Sequence, residues 1–382
     1  MLSYWERQSF THYDHIVLGA GLTGISVGIE LAEAFPNERI VVLERCLLPT
    51  GATTRNAGFA CMGSASELLA DLKTHSEQEV VSLFMRRKHG LKLLRTRLND
   101  DALGYKADGG YELVSEKNIG VMDQLDYLNG LLEGQLGRPA FKEASNLIPQ
   151  FGFSATHVLA MIENACEGSI DSGKALLNLA ALAMSKGVEI KTGASAVRFH
   201  EEKEGVVLDV EVPFRRDIIP LRAKTLTVCT NAFARQLLPD EDVVPGRGQV
   251  LITQPISGLR FKGIFHYDAG FYYFRELDGR VLIGGGRNLD FEGEHTTEFA
   301  LSKTIQEDLE SKLSEMILPG QQFEVDMRWA GIMAFGATKL PIVKSFSDRV
   351  YGAFRMGGMG LALGSGAARD VVKLLAQRAT GI

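Results

Sequence analysis

Short apolar runs alternating with helix-period segments dominate the first fifty residues. Asp14–Gly19 (DHIVLG) is a run of buried-type strand residues. Leu22–Phe35 carries apolar positions at helical spacing and is closed by Pro36-Asn37, and Arg39–Glu44 (RIVVLE) is apolar and β-branched again. The pattern predicts a β-α-β unit at the start of the chain. A Thr-, Gly- and Asn-rich stretch at Pro49–Gly63 reads as a loop. Helical periodicity follows from Ser64 to about Leu98, a strand at Gly109–Ser115 and a helix over about Asn118–Leu136. Asp171 is placed to cap a helix that runs to Lys186, and Gly187 ends it. Val188–Lys191 and Thr225–Cys229 are short strands, with antiparallel alternation over Val197–Val212 between them. Three more strand patterns lie between Arg247 and Gly286, the last two joined by Asp278-Gly279 as a hairpin turn. Thr297–Leu318 reads as a helix, Val350–Phe354 as a strand and Leu361–Arg378 as a final helix.

The order of these elements predicts an α/β (α+β) fold. A Rossmann-like dinucleotide-binding domain is expected from discontinuous segments, about 14–80, 150–232 and 325–382. An antiparallel-sheet substrate domain is expected from about 81–149 and 233–324.

Composition narrows the function classes. Of 382 residues, 45% are hydrophobic and 23% charged, an ordinary globular balance, and the net charge of −6 argues against an extended nucleic-acid surface. Arg86-Arg87-Lys88, the one basic run, reads as a solvated helix face. Cys46, Cys61, Cys166 and Cys229 form no C-x-x-C pair, so no metal site and no disulfide framework is expected. The polar first residues do not resemble a signal peptide, and no apolar run reaches the ~18–20 residues of a membrane span. A cytoplasmic protein is the expectation.

The chemistry concentrates after the first strand. Gly19-Ala20-Gly21-Leu22-Thr23-Gly24 is G-x-G-x-x-G between a strand and a helix. Gly19 permits the turn, Gly21 lets a pyrophosphate approach the backbone, and Gly24 lets helix and strand pack closely. The helix start offers amides and a positive dipole end to phosphate. Glu44 ends the second strand about twenty residues later, where a carboxylate accepts from a ribose diol, and Arg45 follows it. The motif alone does not separate NAD from FAD.

The next stretch does so by resemblance. Gly51-Ala52-Thr53-Thr54-Arg55-Asn56-Ala57-Gly58-Phe59 resembles the G-A-S/T-x-R-N-x-G loop of the D-amino-acid-oxidase-like FAD superfamily, which includes glycine, sarcosine and γ-glutamylputrescine oxidases. Further similarities follow in the family's order. Ile170–Leu176 with Gly187-Val188-Glu189-Ile190 is similar to its helix–strand unit, after which Ala196-Val197 runs past the adenine. Thr227-Val228-Cys229-Thr230-Asn231-Ala232 is similar to its strand-to-helix step. Pro245–Val250, Asp278–Gly285, Trp329-Ala330-Gly331 and Phe354–Leu361 resemble later segments. The resemblance implies an FAD site built from Gly19, Gly21, Leu22, Thr23, Gly24, Glu44, Arg45, Thr53, Thr54, Arg55, Asn56, Ala57, Gly58, Val197, Thr230, Asn231, Gly331, Gly357, Gly358, Met359, Gly360 and Leu361. Backbone amides of the last five would face the pyrimidine end of the flavin.

It also implies hydride transfer from a substrate C–N bond to flavin N5, with oxygen, a quinone or a redox partner as the electron acceptor. No acid–base residue is required, although His157 and His266 are possible bases. Amino-acid-binding relatives hold the carboxylate with an arginine two residues beyond W-A-G, where this chain has Met333. The candidates to replace it are Arg55, Arg275 and Arg355. Strand alternation pairs Tyr273 with Arg275 on one face and Tyr272 with Phe274 on the other. Cys61 is the cysteine placed near the flavin ring, and non-covalent FAD is expected. The resemblance leaves other readings open: oxidation of a 2-hydroxy acid or polyol phosphate, a domain like that of tRNA-modifying oxidoreductases, or a non-catalytic flavin subunit of a larger dehydrogenase.

Overall fold

A computed structural model describes residues 1–212 and 217–379. Residues 213–216 and 380–382, inside the expected segments 150–232 and 325–382, lie outside the described residues.

A six-stranded sheet forms around the first strand. In spatial order its members are Ile342–Ser345, Val350–Phe354, Thr225–Val228, His15–Leu18, Ile40–Leu43 and Glu189–Lys191. The pairs from Val350–Phe354 to Glu189–Lys191 are parallel, and Ile342–Ser345 adds antiparallel at the edge. Both faces are covered, as apolar strands of this type require. Val17 and Val42 point into a core shared with helices Leu22–Ala34, Glu77–Leu98, Ser172–Ser185 and Gly360–Ala379. Ile16, Leu18, Val41 and Leu43 point the other way, onto Val206, Leu208 and Val210 of a three-stranded sheet, Ser195–Glu202, Gly205–Val212 and Asp217–Ala223.

An eight-stranded sheet lies beyond the helices. Its order is Val325–Phe335, Val244–Thr253, Arg280–Gly285, Tyr272–Leu277, Ile264–Tyr267, Gly110–Val114, Ala160–Asn164 and Phe141–Glu143. All pairings are antiparallel except the parallel one between Ile264–Tyr267 and Gly110–Val114. Alternation splits it into two faces. Leu251, Phe265, Tyr272, Phe274 and Ile283 pack on helix Lys303–Lys312 and the π-helical turn Leu313–Ile317. The opposite face presents Val250, Leu282, Tyr273 and Trp329 to Ala57 and Phe59, and it forms one wall of the candidate site.

Most expected elements form where the pattern places them, four of them with changed bounds or type, and strands such as Ala160–Asn164, Ile264–Tyr267 and Val325–Phe335 are additions to the pattern. The 49–63 loop contains a one-turn helix, Ala52–Arg55, and a short strand, Phe59–Ala60. The helical stretch 64–98 is two helices, Ala65–Leu72 and Glu77–Leu98, each started by a serine cap, Ser64 and Ser76. The helix expected over 118–136 begins as the 3₁₀ segment Glu116–Gln124 and becomes α at Leu125. The helix expected from Thr297 starts at Lys303. Among the described residues no helix is long and apolar enough to cross a membrane.

Candidate active site

The turn Gly19–Gly21 sits where the first strand ends and helix Leu22–Ala34 begins, and its glycines are required by contact. A Cβ on Gly24 would lie 1.9 Å from the Gly19 carbonyl oxygen, and one on Gly19 would lie 2.9 Å from that of Cys229. Gly19 also has φ +96°, in the left-handed region. Gly21 is the N-cap, and the Leu22 amide donates to Thr53 Oγ1 at 3.0 Å. The start of helix Leu22–Ala34 is thereby tied to the 51–58 loop. Glu44 is buried and shapes the same turn: its carboxylate accepts from the amides of Ala20 and Cys46, both at 3.1 Å. The lone pairs it has left over can still receive a ribose hydroxyl. Arg45 stacks on the Phe233 ring at 3.7 Å.

The 51–58 loop is held from several sides. Thr54 donates to the Pro49 carbonyl, and Asn56 bonds Ala52, Thr53, Gly58 and Ser172. Gly58 has φ +73°, and a Cβ there would lie 2.2 Å from the Ile170 carbonyl oxygen. Gly331 packs against Arg55, and the indole of Trp329 donates to the Arg55 carbonyl at 3.0 Å. Val197 is the extra residue of a β-bulge: Arg198 pairs with Asp209 and Ala196 with Val210, which leaves its backbone outside the ladder. Thr230 has a buried hydroxyl with no hydrogen-bond partner. Asn231 accepts from the amides of Arg355 and Met356. Gly357 and Gly358 have φ +56° and +80°, and helix Gly360–Ala379 starts directly after Met359, so Gly360 and Leu361 form its first turn.

All three arginine candidates are engaged elsewhere. Arg55 donates to the Thr50 and Ala330 carbonyls and stacks on Phe299. Arg275 is buried and forks onto the carbonyls of Gly58 and Ile170 at 3.1 and 2.9 Å, with Ala57 at 3.4 Å. It clamps the loop instead of opening into the crevice. Arg355 is paired with Asp242 and bonds Thr338 and Leu340.

Tyr273 and Met333 do reach the wall that faces the loop. Tyr273 contacts Phe59 edge-on with centroids 5.7 Å apart, and burial pushes its phenol up to about 12. Met333 sits over Gly248 and against Gly358. Of the two histidines, His157 lies in an exposed turn among Ser154 and Thr156. His266 is buried, with Nε2 3.1 Å from Glu167 Oε2, while Glu167 Oε1 accepts from the Met62 and Gly63 amides. Burial alone would lower the His266 pKa, but Glu167, Glu67 and Glu112 raise it overall. Cys61 donates to Met359 Sδ at 3.3 Å, and burial pushes its thiol well above the ordinary range.

Sequence reasoning missed two features of this wall. One is the Glu167–His266 pair, which joins residues 99 apart in the chain. The other is Arg287, just past strand Arg280–Gly285, whose guanidinium lies 4.2 Å from the Phe335 ring centroid and 4.8 Å from that of Phe291. The run Gly284-Gly285-Gly286 before it was the available signal, since glycines in a strand mark close approach.

The profile of the DAO family, described as FAD dependent oxidoreductase, matches residues 14–374. The chain belongs to this family. Among characterised proteins it is similar to the probable oxidoreductase OrdL of Haemophilus influenzae, 21% identical over 395 residues, which cover 95% of this chain and 83% of that protein. Among solved structures it is similar to glycine oxidase from Geobacillus kaustophilus, with a TM-score of 0.75 and 19% identity over 96% of this chain and 95% of that one. It is also similar to L-proline dehydrogenase from P. horikoshii, with a TM-score of 0.74 and 17% identity over 97% and 94%. As a member of the DAO family the protein is an FAD-dependent oxidoreductase. The crevice suits that cofactor: its amide-lined turn has no room for side chains, and the Thr230 hydroxyl lacks a partner that a polar ligand can supply.

Proposed function

We propose that this DAO-family protein oxidises the C–N bond of a small amine or amino acid. FAD, when bound, supplies the acceptor for a hydride leaving the substrate carbon. The turn at Gly19, Gly21 and Gly24, the Leu22–Thr23 helix start and Glu44 would hold the adenosine diphosphate. Residues 53–58, Val197, Thr230, Asn231, Gly331 and 357–361 would line the rest. The end of helix Gly360–Ala379 nearest the ring is its positive end and would stabilise negative charge on the reduced flavin. Tyr273, Phe59 and Met333 would exclude water over the reacting carbon.

The observation that carries the reading is the fold match to glycine oxidase and L-proline dehydrogenase, over 95% and 94% of those chains. His266 is bonded to Glu167, which is itself held by two backbone amides. Oxidation of a hydroxy acid needs a base for the hydroxyl proton, whereas a neutral amine can lose a hydride without one, so the Glu167–His266 pair is compatible with either donor and does not decide between them. The names of the similar structures, glycine oxidase and L-proline dehydrogenase, also favour a C–N donor. The buried, protonated Cys61 favours flavin that acid denaturation releases. Oxygen, a quinone or a redox partner would reoxidise the enzyme.

The test is anaerobic bleaching of the flavin against amino acids, N-methyl amino acids, polyamine conjugates and 2-hydroxy acids. Bleaching by an amine with imine-derived carbonyl product supports the reading. Bleaching by hydroxy acids alone overturns it.

A further inference from the structure

Arg287 is the half-buried cation of the site wall that has nothing to hold. Among the described residues its side chain makes no hydrogen bond and no ion pair. The acid that favours its charge, Glu294, is taken: Arg247 grips both carboxylate oxygens at 2.9 and 2.6 Å, and Gln249 donates at 2.9 Å. Partial burial between Phe335 and Phe291 disfavours the Arg287 charge, and Glu294 only partly offsets this. The two rings cover the guanidinium's faces, while its five donors have no protein partner and are not sealed from solvent, so they are free to take an anion in a charge-assisted pair. The rings leave the donor edge free while they fix the plane.

Its place in the sheet says where that anion lies. Gly246 is opposite Met333, and Gly248 is opposite Gly331. A Cβ on Gly248 would lie 2.8 Å from Met333 Cε. One on Gly246 would lie 2.5 Å from the Phe335 ring and 3.3 Å from Arg287 Nη1, and one on Gly284 would lie 2.5 Å from the Tyr273 ring. Three glycines thus let Met333, Phe335 with Arg287, and Tyr273 lie flat on one face. Met333 abuts Gly358 of the C-terminal loop. Phe335 is two residues further along the same strand, about 7 Å outward. At this end Phe271, Phe291 and Phe299 are exposed, so the Arg287 end of the face is the one that meets solvent.

We propose that Arg287 binds a carboxylate of the substrate, and that the substrate is an amine whose acid group lies several bonds from the oxidised carbon, not a short α-amino acid. The inner position, Met333, receives an apolar part of the chain. This inference rests on the amine-oxidising reading above and deepens it.

Calorimetric titration of the FAD-loaded protein with acetate, succinate, glutarate and adipate tests the anion site without turnover. At least one acid binds, its fully methylated ester does not, and Arg287→Gln weakens binding ~10–100-fold, the loss expected for a charge-assisted pair. Arg287→Lys retains part of it and guards against misfolding. In parallel, flavin bleaching is compared for β-alanine, 4-aminobutyrate and 5-aminopentanoate against amines of equal length without the acid. A higher KM in Arg287→Gln, with kcat little changed, is expected for the acids alone. If the parent binds none of the acids, or the variant binds them equally well, the inference is overturned even where amines still bleach the flavin. If acids bind through Arg287 and no amine bleaches the flavin, the anion site stands and the amine reading falls.

Discussion

Gly24→Ala puts a single methyl group into the tightest contact of the crevice. The new Cβ would lie 1.9 Å from the Gly19 carbonyl oxygen and 3.1 Å from its carbon, while real Cβ atoms essentially never come within 3.0 Å. The neighbour is backbone, so no side chain can swing away, and the helix start must withdraw from the turn by more than an ångström. Overpacking of this kind costs about 1–3 kcal/mol of stability. The same movement carries away the amides that face the phosphates, each worth ~1.5–3 kcal/mol when bonded to an anion. FAD affinity should therefore fall at least tenfold, and ~100-fold or more if two contacts are lost. Gly28→Ala is the control on the same helix. Its Cβ would meet Val42 and Val188 side chains at 3.0 and 3.2 Å, on the core side away from the turn. Titrating deflavinated protein into FAD and following fluorescence quenching gives the dissociation constants, and urea unfolding gives the stabilities. Both variants should lose stability, and only Gly24→Ala should lose most of its FAD affinity. Parental affinity in Gly24→Ala, or equal weakening in both, would refute the assigned phosphate-facing role of the turn.

Three further outcomes are expected. Thr230→Val removes a buried hydroxyl without a partner, so the apoprotein should be as stable as the parent or more so in urea. FAD binding should weaken ~3–10-fold in the same quenching titration, and weaker apoprotein with unchanged FAD affinity would count against it. Arg275→Gln leaves the Gly58 and Ile170 carbonyls without their clamp; about 2–4 kcal/mol should be lost and tryptic cleavage after Arg55 should accelerate. Glu67 is held down to about 2: burial opposes this, but Arg87 and Lys339 outweigh it. Because the folded pKa lies below the ordinary 4.5, the stabilisation is full above pH 4.5 and is lost as pH falls through about 2. The stability gap between parent and Glu67→Gln, about 3 kcal/mol at pH 7, should therefore narrow to about half or less by pH 3 and vanish only below about pH 2, as urea titrations from pH 7 to pH 3 would begin to record.

The first β-α-β unit could be read from the chain because everything that defines it is local: strand, glycine turn, helix and acid follow one another within thirty residues. The split of Tyr272 and Phe274 from Tyr273 and Arg275 was legible for the same reason, since alternation needs only neighbours. The partners of Arg275 were not. Gly58 lies 217 positions away, and a backbone carbonyl leaves no mark in the identity of its residue. The strand Ile264–Tyr267 escaped notice because four residues carry little pattern, and its parallel partner Gly110–Val114 lies far upstream. Glu44 was expected to face a ribose. The turn it braces through Ala20 and Cys46 was invisible until the backbone was folded around it.

The last helix, Gly360–Ala379, shares one core with Leu22–Ala34 near the beginning of the chain, and the loop just before it closes the crevice opened by Gly19–Gly21. The two walls of the proposed cofactor crevice thus come from segments some three hundred residues apart in the chain. Flavin retention should therefore need both segments at once, and a protein nicked between residues 58 and 357 should hold the cofactor only while its two parts stay docked.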